Sequence, residues 1–245
     1  MKKLAIIALS VLAASCSKYK VSGEIKGMPD GTKVYLEKQN ESATTGITGV
    51  DTTVVKDGKF EFEGKAEEPL MHRVRFDQIG GFMLILEKGN INVKGTKDSL
   101  ALGVATISGS TTNDQLNAYR KDLMKVQVRV AAFEKDNEKA YGEAMAKKDT
   151  PTMKKLTDDY KKLNEEFTTV KTKFVENNPD SFLSLLIIQE LFATPQADIA
   201  KTKKHFENLS SSVKSTSTGK RIQKNLDDYE KALQESQPGP KKKVN

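Results

Sequence analysis

From Tyr19 to about Gly109 apolar and polar residues alternate in short runs, and glycines interrupt the runs. Successive side chains of a strand point to opposite faces, so this period of two marks half-buried strands. Val21, Gly23 and Ile25 share one face of a first strand; Gly27-Met-Pro-Asp-Gly31 makes a turn, and the run at 34–36 begins the return. Asp57-Gly58 separates the runs 52–56 and 59–63, and this dipeptide supplies the positive φ angles of a two-residue hairpin. Runs at 71–76, 82–87 and 91–94 continue the series, the last two joined by Lys88-Gly89-Asn90. About seven to nine strands at this spacing predict an antiparallel sandwich or barrel, the β-sandwich being favoured, with Tyr35, Phe60, Phe62, Phe76 and Phe82 expected in its core.

After Gly109 the period becomes helical. Leu116, Tyr119, Leu123, Val126, Val130 and Phe133 recur at steps of three and four, a heptad seam on a helix running to about Lys148. Thr150-Pro151 suits a helix start, and a second seam follows through Met153, Leu156, Tyr160, Leu163, Phe167, Val170 and Phe174 to the stop at Asn177-Asn178-Pro179. Two seams separated by a tight link satisfy each other within one chain, which favours an antiparallel helical hairpin over an intermolecular coiled coil. The stretch 181–192 is apolar on most of its circumference and predicts a buried helix; 195–209 and 219–233 predict two amphipathic ones. The fold class is therefore α+β, with an antiparallel sandwich followed by an all-α helical domain. The expected divisions are 1–15, 16–109, 110–236 and a basic tail at 237–245.

The first fifteen residues read as an export signal. Lys2 and Lys3 precede an apolar run from Leu4 to Ala14, too short to span a bilayer. Leu12-Ala-Ala-Ser-Cys16 resembles a bacterial lipobox, with alanine in place of leucine three residues before the cysteine. That resemblance implies cleavage before Cys16 and acyl chains, palmitate among them, on the cysteine, enough for stable anchoring. Cys16 is the lipid attachment site on this reading, and the membrane is the first expected partner.

Cys16 is the only cysteine in the sequence. Once acylated, it leaves no thiol, which excludes thiol redox chemistry and cysteine metal sites. His72 and His205 are the only histidines and belong to no ligand-spaced cluster. The acidic pairs Asp158-Asp159, Glu165-Glu166 and Asp227-Asp228 lie beside lysines on amphipathic helices, the pattern of a solvated face. There is no phosphate-binding glycine loop and no nucleophile elbow. The formal charge is +7, and without Lys2 and Lys3 it is +5, from 38 basic against 33 acidic residues. Both signs are interspersed outside the tail Lys241-Lys-Lys243, so the surface leans toward anionic membrane and does not predict nucleic-acid binding. No cofactor, metal site or catalytic residue is expected.

The order of the motifs carries a family resemblance. Val21-Ser-Gly-Glu-Ile-Lys-Gly27, Asp30-Gly-Thr-Lys-Val-Tyr-Leu36, Asp51-Thr-Thr-Val-Val-Lys-Asp-Gly-Lys-Phe-Glu-Phe-Glu-Gly64 and Leu84-Ile-Leu-Glu-Lys-Gly-Asn-Ile-Asn-Val93 come first, then Gly109-Ser-Thr-Thr-Asn-Asp114 and Asn178-Pro-Asp-Ser181. Together they resemble the N-terminal β domain, itself of unknown function, and helical region of lipid-anchored, thioredoxin-like thiol-disulfide oxidoreductases of the TlpA/ResA kind. In those proteins a thioredoxin domain with a Cys-x-x-Cys pair follows. Asn245 stands where that domain would begin and no cysteine follows residue 16, so the family's redox residues have no matching positions. The expectation is a non-catalytic envelope lipoprotein that binds a protein or glycan. The alternative is an accessory subunit acting with a separate thioredoxin-like protein. Ser17-Lys-Tyr-Lys20 carries no acidic run of the kind that marks surface export, which favours the periplasmic face of the outer membrane over the cell surface.

Overall fold

The computed structural model describes residues 17–39, 46–194 and 198–236. The expected signal peptide, Cys16 and the tail at 237–245 lie outside the described residues. The chain divides into two compact units, one ending at Asp114 and one beginning at Gln115.

The first unit holds eight strands: β1 (Lys18–Lys26), β2 (Lys33–Gln39), β3 (Ile47–Val54), β4 (Lys59–Lys65), β5 (Leu70–Phe76), β6 (Gly80–Leu86), β7 (Gly89–Thr96) and β8 (Thr106–Ser108). They form two four-stranded sheets, ordered β4-β1-β7-β8 and β3-β2-β5-β6. The inward residues of both sheets, such as Val21, Ile25 and Ile91 against Leu36, Val74 and Leu84, form one buried cluster. The expected sandwich is thus present. All pairings are antiparallel except that of β1 with β7, which is parallel.

The expected strand neighbours differ from the observed ones, because period two tells a residue's face but not its sheet. The turn at 27–31 joins β1 in one sheet to β2 in the other, and Gly89 likewise opens β7 in the sheet opposite β6. Asp57 and Gly58 do take positive φ, 52° and 70°, and Lys56 and Lys59 exchange two backbone hydrogen bonds of 2.9 Å. That tight turn extends to a single bridge. Its upstream strand has already left: Val55, 1 % exposed, donates its N–H to the Thr32 carbonyl and accepts from Gly31, both at 2.9 Å, where the chain crosses between sheets.

A short helix not foreseen from the pattern, α1 (Lys97–Ala101), follows β7. Thr96 and Ser99 form a reciprocal capping box, and Leu100 is fully buried in the sandwich core.

Apart from an unforeseen short helix at Ser211–Lys214, the helices of the second unit follow their sequence signals, and the expected start at Pro195 lies outside the described residues. The long α2 (Thr111–Lys147) begins within the first unit and continues through the second; α3 is Thr150–Asn177. Lys148 takes φ 54° in the link, and Asp149 caps α3 by accepting from the backbone and hydroxyl of Thr152. Ring contacts pair Tyr119 with Phe174 and Phe133 with Tyr160, and Arg129 is ion-paired with Glu166. As one number rises the other falls, so the two seams meet antiparallel within the chain. Helix α4 (Phe182–Ala193) buries Phe182, Leu183, Leu185, Ile187 and Ile188. Helices α5 (Ile199–Glu207) and α7 (Ser217–Ser236) pack against it, and α6 (Ser211–Lys214) packs against α7.

Candidate functional site

The histidines sit apart in different units. His72 is 5 % exposed on β5, and its Nδ1 lies 3.0 Å from the Leu70 carbonyl oxygen. His205 is 7 % exposed at the end of α5, with Nδ1 3.9 Å from Glu176 and a buried Nε2 without a hydrogen-bond partner among the described residues. Burial pushes both imidazoles below their usual pKa. Asp158 and Asp159 face Lys154 and Lys155 at 2.6 and 3.1 Å on the exposed side of α3, and Glu166 is held by Arg129. None of the acidic pairs converges on a pocket with a histidine. Among the described residues no group of three or more His, Cys, Asp and Glu side chains is placed to hold a metal ion.

Phe60, Phe62, Phe76 and Phe82 belong to the sandwich core, with ring centroids 5.8 Å apart for Phe60 and Phe62 and 5.3 Å for Phe60 and Phe76. Tyr35, expected in the core, does not belong to it, because its neighbours Val34 and Leu36 take the inward face of β2. It lies under Arg75, whose guanidinium carbon is 4.0 Å from the ring centroid. Arg75 Nε donates to Glu37 at 2.8 Å, and Nη1 donates to the Asp77 carbonyl at 3.0 Å. Asp77, at φ 37° in the turn after β5, accepts from the Lys33 N–H at 3.0 Å and from the Tyr35 hydroxyl at 3.4 Å. The Glu37 side chain is only 10 % exposed, and its Oε2 has no partner among the described residues. Arg73 stands directly opposite Glu37 in the β2–β5 register. The cluster holds a charge pair and an unfilled acceptor, but no nucleophile.

The second feature is a groove of about 600 Å³ in the helical hairpin. Phe133, Tyr141, Leu156 and Tyr160 form its apolar lining, with Glu134 and Glu138 among its polar residues. Tyr141 and Tyr160 are about 40 % exposed, and nearby Met145 more so. Among the described residues Arg129–Glu166 and Phe133–Tyr160 join α2 to α3 along this stretch, while Asp122–Lys125 and Lys154–Asp158 pair within single helices. Sequence heptads foretold the seam but not its open stretch, where the next seam positions after Phe133 are Asn137, which lines the groove, and Ala140, which is exposed. No described helix is long and apolar enough to cross a membrane.

Among the described residues the chain is thus an eight-stranded sandwich, which carries the polar cluster, and a helical unit, which carries the aromatic groove. Residues 19–116 match the family described as a domain of unknown function (DUF4369), which covers the sandwich and the first turns of α2. No curated protein matches the chain.

Proposed function

We propose that the protein is a lipid-anchored bacterial envelope protein that acts by binding another envelope component and catalyses no reaction. The hairpin groove carries this reading, since a concave aromatic lining flanked by carboxylates suits docking of a protein or peptide surface. The lipobox-like segment and the start of β1 two residues after Cys16 support the anchor. The narrower reading, in which the partner is a separate thioredoxin-like protein, rests on the motif order shared with TlpA/ResA-like oxidoreductases.

A photo-crosslinking residue in place of Tyr160, expressed in cells, tests the binding role. One discrete crosslinked species, lost when Leu156→Glu is added, is expected; diffuse or absent crosslinking refutes groove docking. Identification of a thioredoxin-like protein in that species supports the narrower reading. Labelled palmitate tests the anchor separately: Cys16→Ser should abolish incorporation, and a wild type that takes up no label removes the lipoprotein reading.

A further inference from the structure

Lys18 opens β1 directly opposite Lys65 at the end of β4. Like charges facing each other across an antiparallel pair repel; among the described residues neither ammonium group lies within 4 Å of a carboxylate, although Glu63 feels the charge of Lys18 at longer range. Lys20, one step inward on the same face, is neutralised by Glu61 at 2.7 Å and Glu63 at 2.9 Å. A cleft of about 600 Å³ opens at this end, lined by Lys18, Lys65, Glu63, Gly89 and Asn90 among others. Gly89 pairs with Tyr19 in the parallel register, so Lys88 precedes β7 at the same end. Glu67 and Glu68 follow β4 and line no part of the cleft. Three lysines therefore gather at the place where the chain enters the fold.

We propose that this end of the sandwich rests on a bilayer with anionic headgroups, Lys18 and Lys65 engaging their phosphates. The proposal rests on the lipid-anchored reading above, and two observations choose the membrane as occupant. The chain outside the described residues ends at residue 16, and β1 begins at Lys18. Two residues reach at most about 7 Å, so an acylated Cys16 holds the Lys18 end within about one Debye length, ~8 Å, of the headgroups. Charge complementarity does the rest: each basic residue near an anionic surface strengthens attachment about fivefold, and the pair about thirtyfold. Lys26 closes the other end of β1, about 26 Å away along the strand, and is out of reach.

The test uses the mature acylated protein reconstituted into vesicles of phosphatidylcholine alone or with added phosphatidylglycerol. Amine acylation of individual lysines is timed, and flotation records attachment. At low salt Lys18 and Lys65 should react about thirtyfold more slowly on the anionic vesicles, with Lys26 unchanged, and the difference should vanish near 1 M salt, where the Debye length falls to about 3 Å. Equal rates on both vesicles, with the protein floating on both, overturn the docking and leave the anchor standing. Protein that floats with neither overturns the anchor and this proposal with it. Equal slowing by inorganic phosphate on neutral vesicles identifies a free-anion site and overturns membrane docking.

Discussion

Asn113 completes a strand with its side chain. Its Oδ1 accepts the Ile85 N–H at 3.0 Å, and its Nδ2 donates to the Ile85 carbonyl at 2.7 Å. Strand β6 is the last of its sheet, and both residues are fully buried, so these backbone groups have neither strand nor water to bond. The amide supplies the donor and acceptor that a neighbouring strand would. Glu87, one residue beyond β6, adds a carboxylate that accepts the N–H and hydroxyl of Thr112 at 3.0 and 2.8 Å. The first turn of α2 is thereby tied to the sheet edge.

Replacing Asn113→Leu leaves both polar groups of Ile85 buried and unbonded. Each such group costs about 1–3 kcal/mol, so urea unfolding should show a loss of about 3 kcal/mol. A change below 1 kcal/mol would show that the edge is satisfied some other way.

Arg75 is the counter-charge of a carboxylate that is nine-tenths buried. Removing one partner of such a pair costs about 3–5 kcal/mol, whereas replacing both by apolar residues is often near neutral. Arg75→Leu should therefore destabilise strongly, and Glu37→Met combined with Arg75→Leu should recover most of the loss. A double variant as unstable as the single one, in a thermal-denaturation cycle, would place the cost in Tyr35 stacking instead.

Gly23 faces Phe60 in the β1–β4 register, and a Cβ there would lie 1.9 Å from Phe60 Cε1. The ring can yield only by disturbing its edge contacts with Phe62 and Phe76. Gly23→Ala should cost about 1–3 kcal/mol by overpacking. Gly49→Ala, on β3 with open space around its Cβ position, is the matched control and should be close to neutral. Equal effects at the two positions would contradict the packing argument.

Both histidines are held below their usual pKa, His72 by burial against the bond to Leu70 and His205 by burial against the pull of Glu176. The folded state thus prefers neutral imidazole, while the unfolded chain protonates near pH 6.5. Their contribution is complete above that value and is lost as pH falls below it, by at most about 1.4 kcal/mol per pH unit for each histidine. The midpoint of thermal unfolding should drop between pH 7.5 and 5.5, and His72→Gln with His205→Gln should flatten the drop. A midpoint that rises on acidification would reverse the assignment.

Much of this fold could be read from local pattern. Thr150 and Pro151 announced the start of α3, Asn177 and Asn178 its end, and the alternation around Phe60 and Phe62 the inward face of β4. Partner choice was not local. Nothing around Val55 shows that the chain changes sheets there, and nothing in β1 or β7 shows that they run parallel. Glu37 and Arg75 look like ordinary outward charges on two strands, and only the pairing of β2 with β5 joins them over Tyr35. Asn113 read as part of a helix opening, yet its bonds reach 28 residues back to a strand edge. Cys16 is the converse, legible in the sequence and outside the described residues.

Strand β1 lies inside its sheet, with seven residue pairs to β4 and eight to β7. A pull on residue 17 along the strand therefore loads both ladders in shear, and their rungs must fail together. A strand at a sheet margin, such as β3, can instead peel away one rung at a time. Because the segment at residue 17 leads into an inner strand that is paired on both sides, a load applied there is shared by two ladders at once.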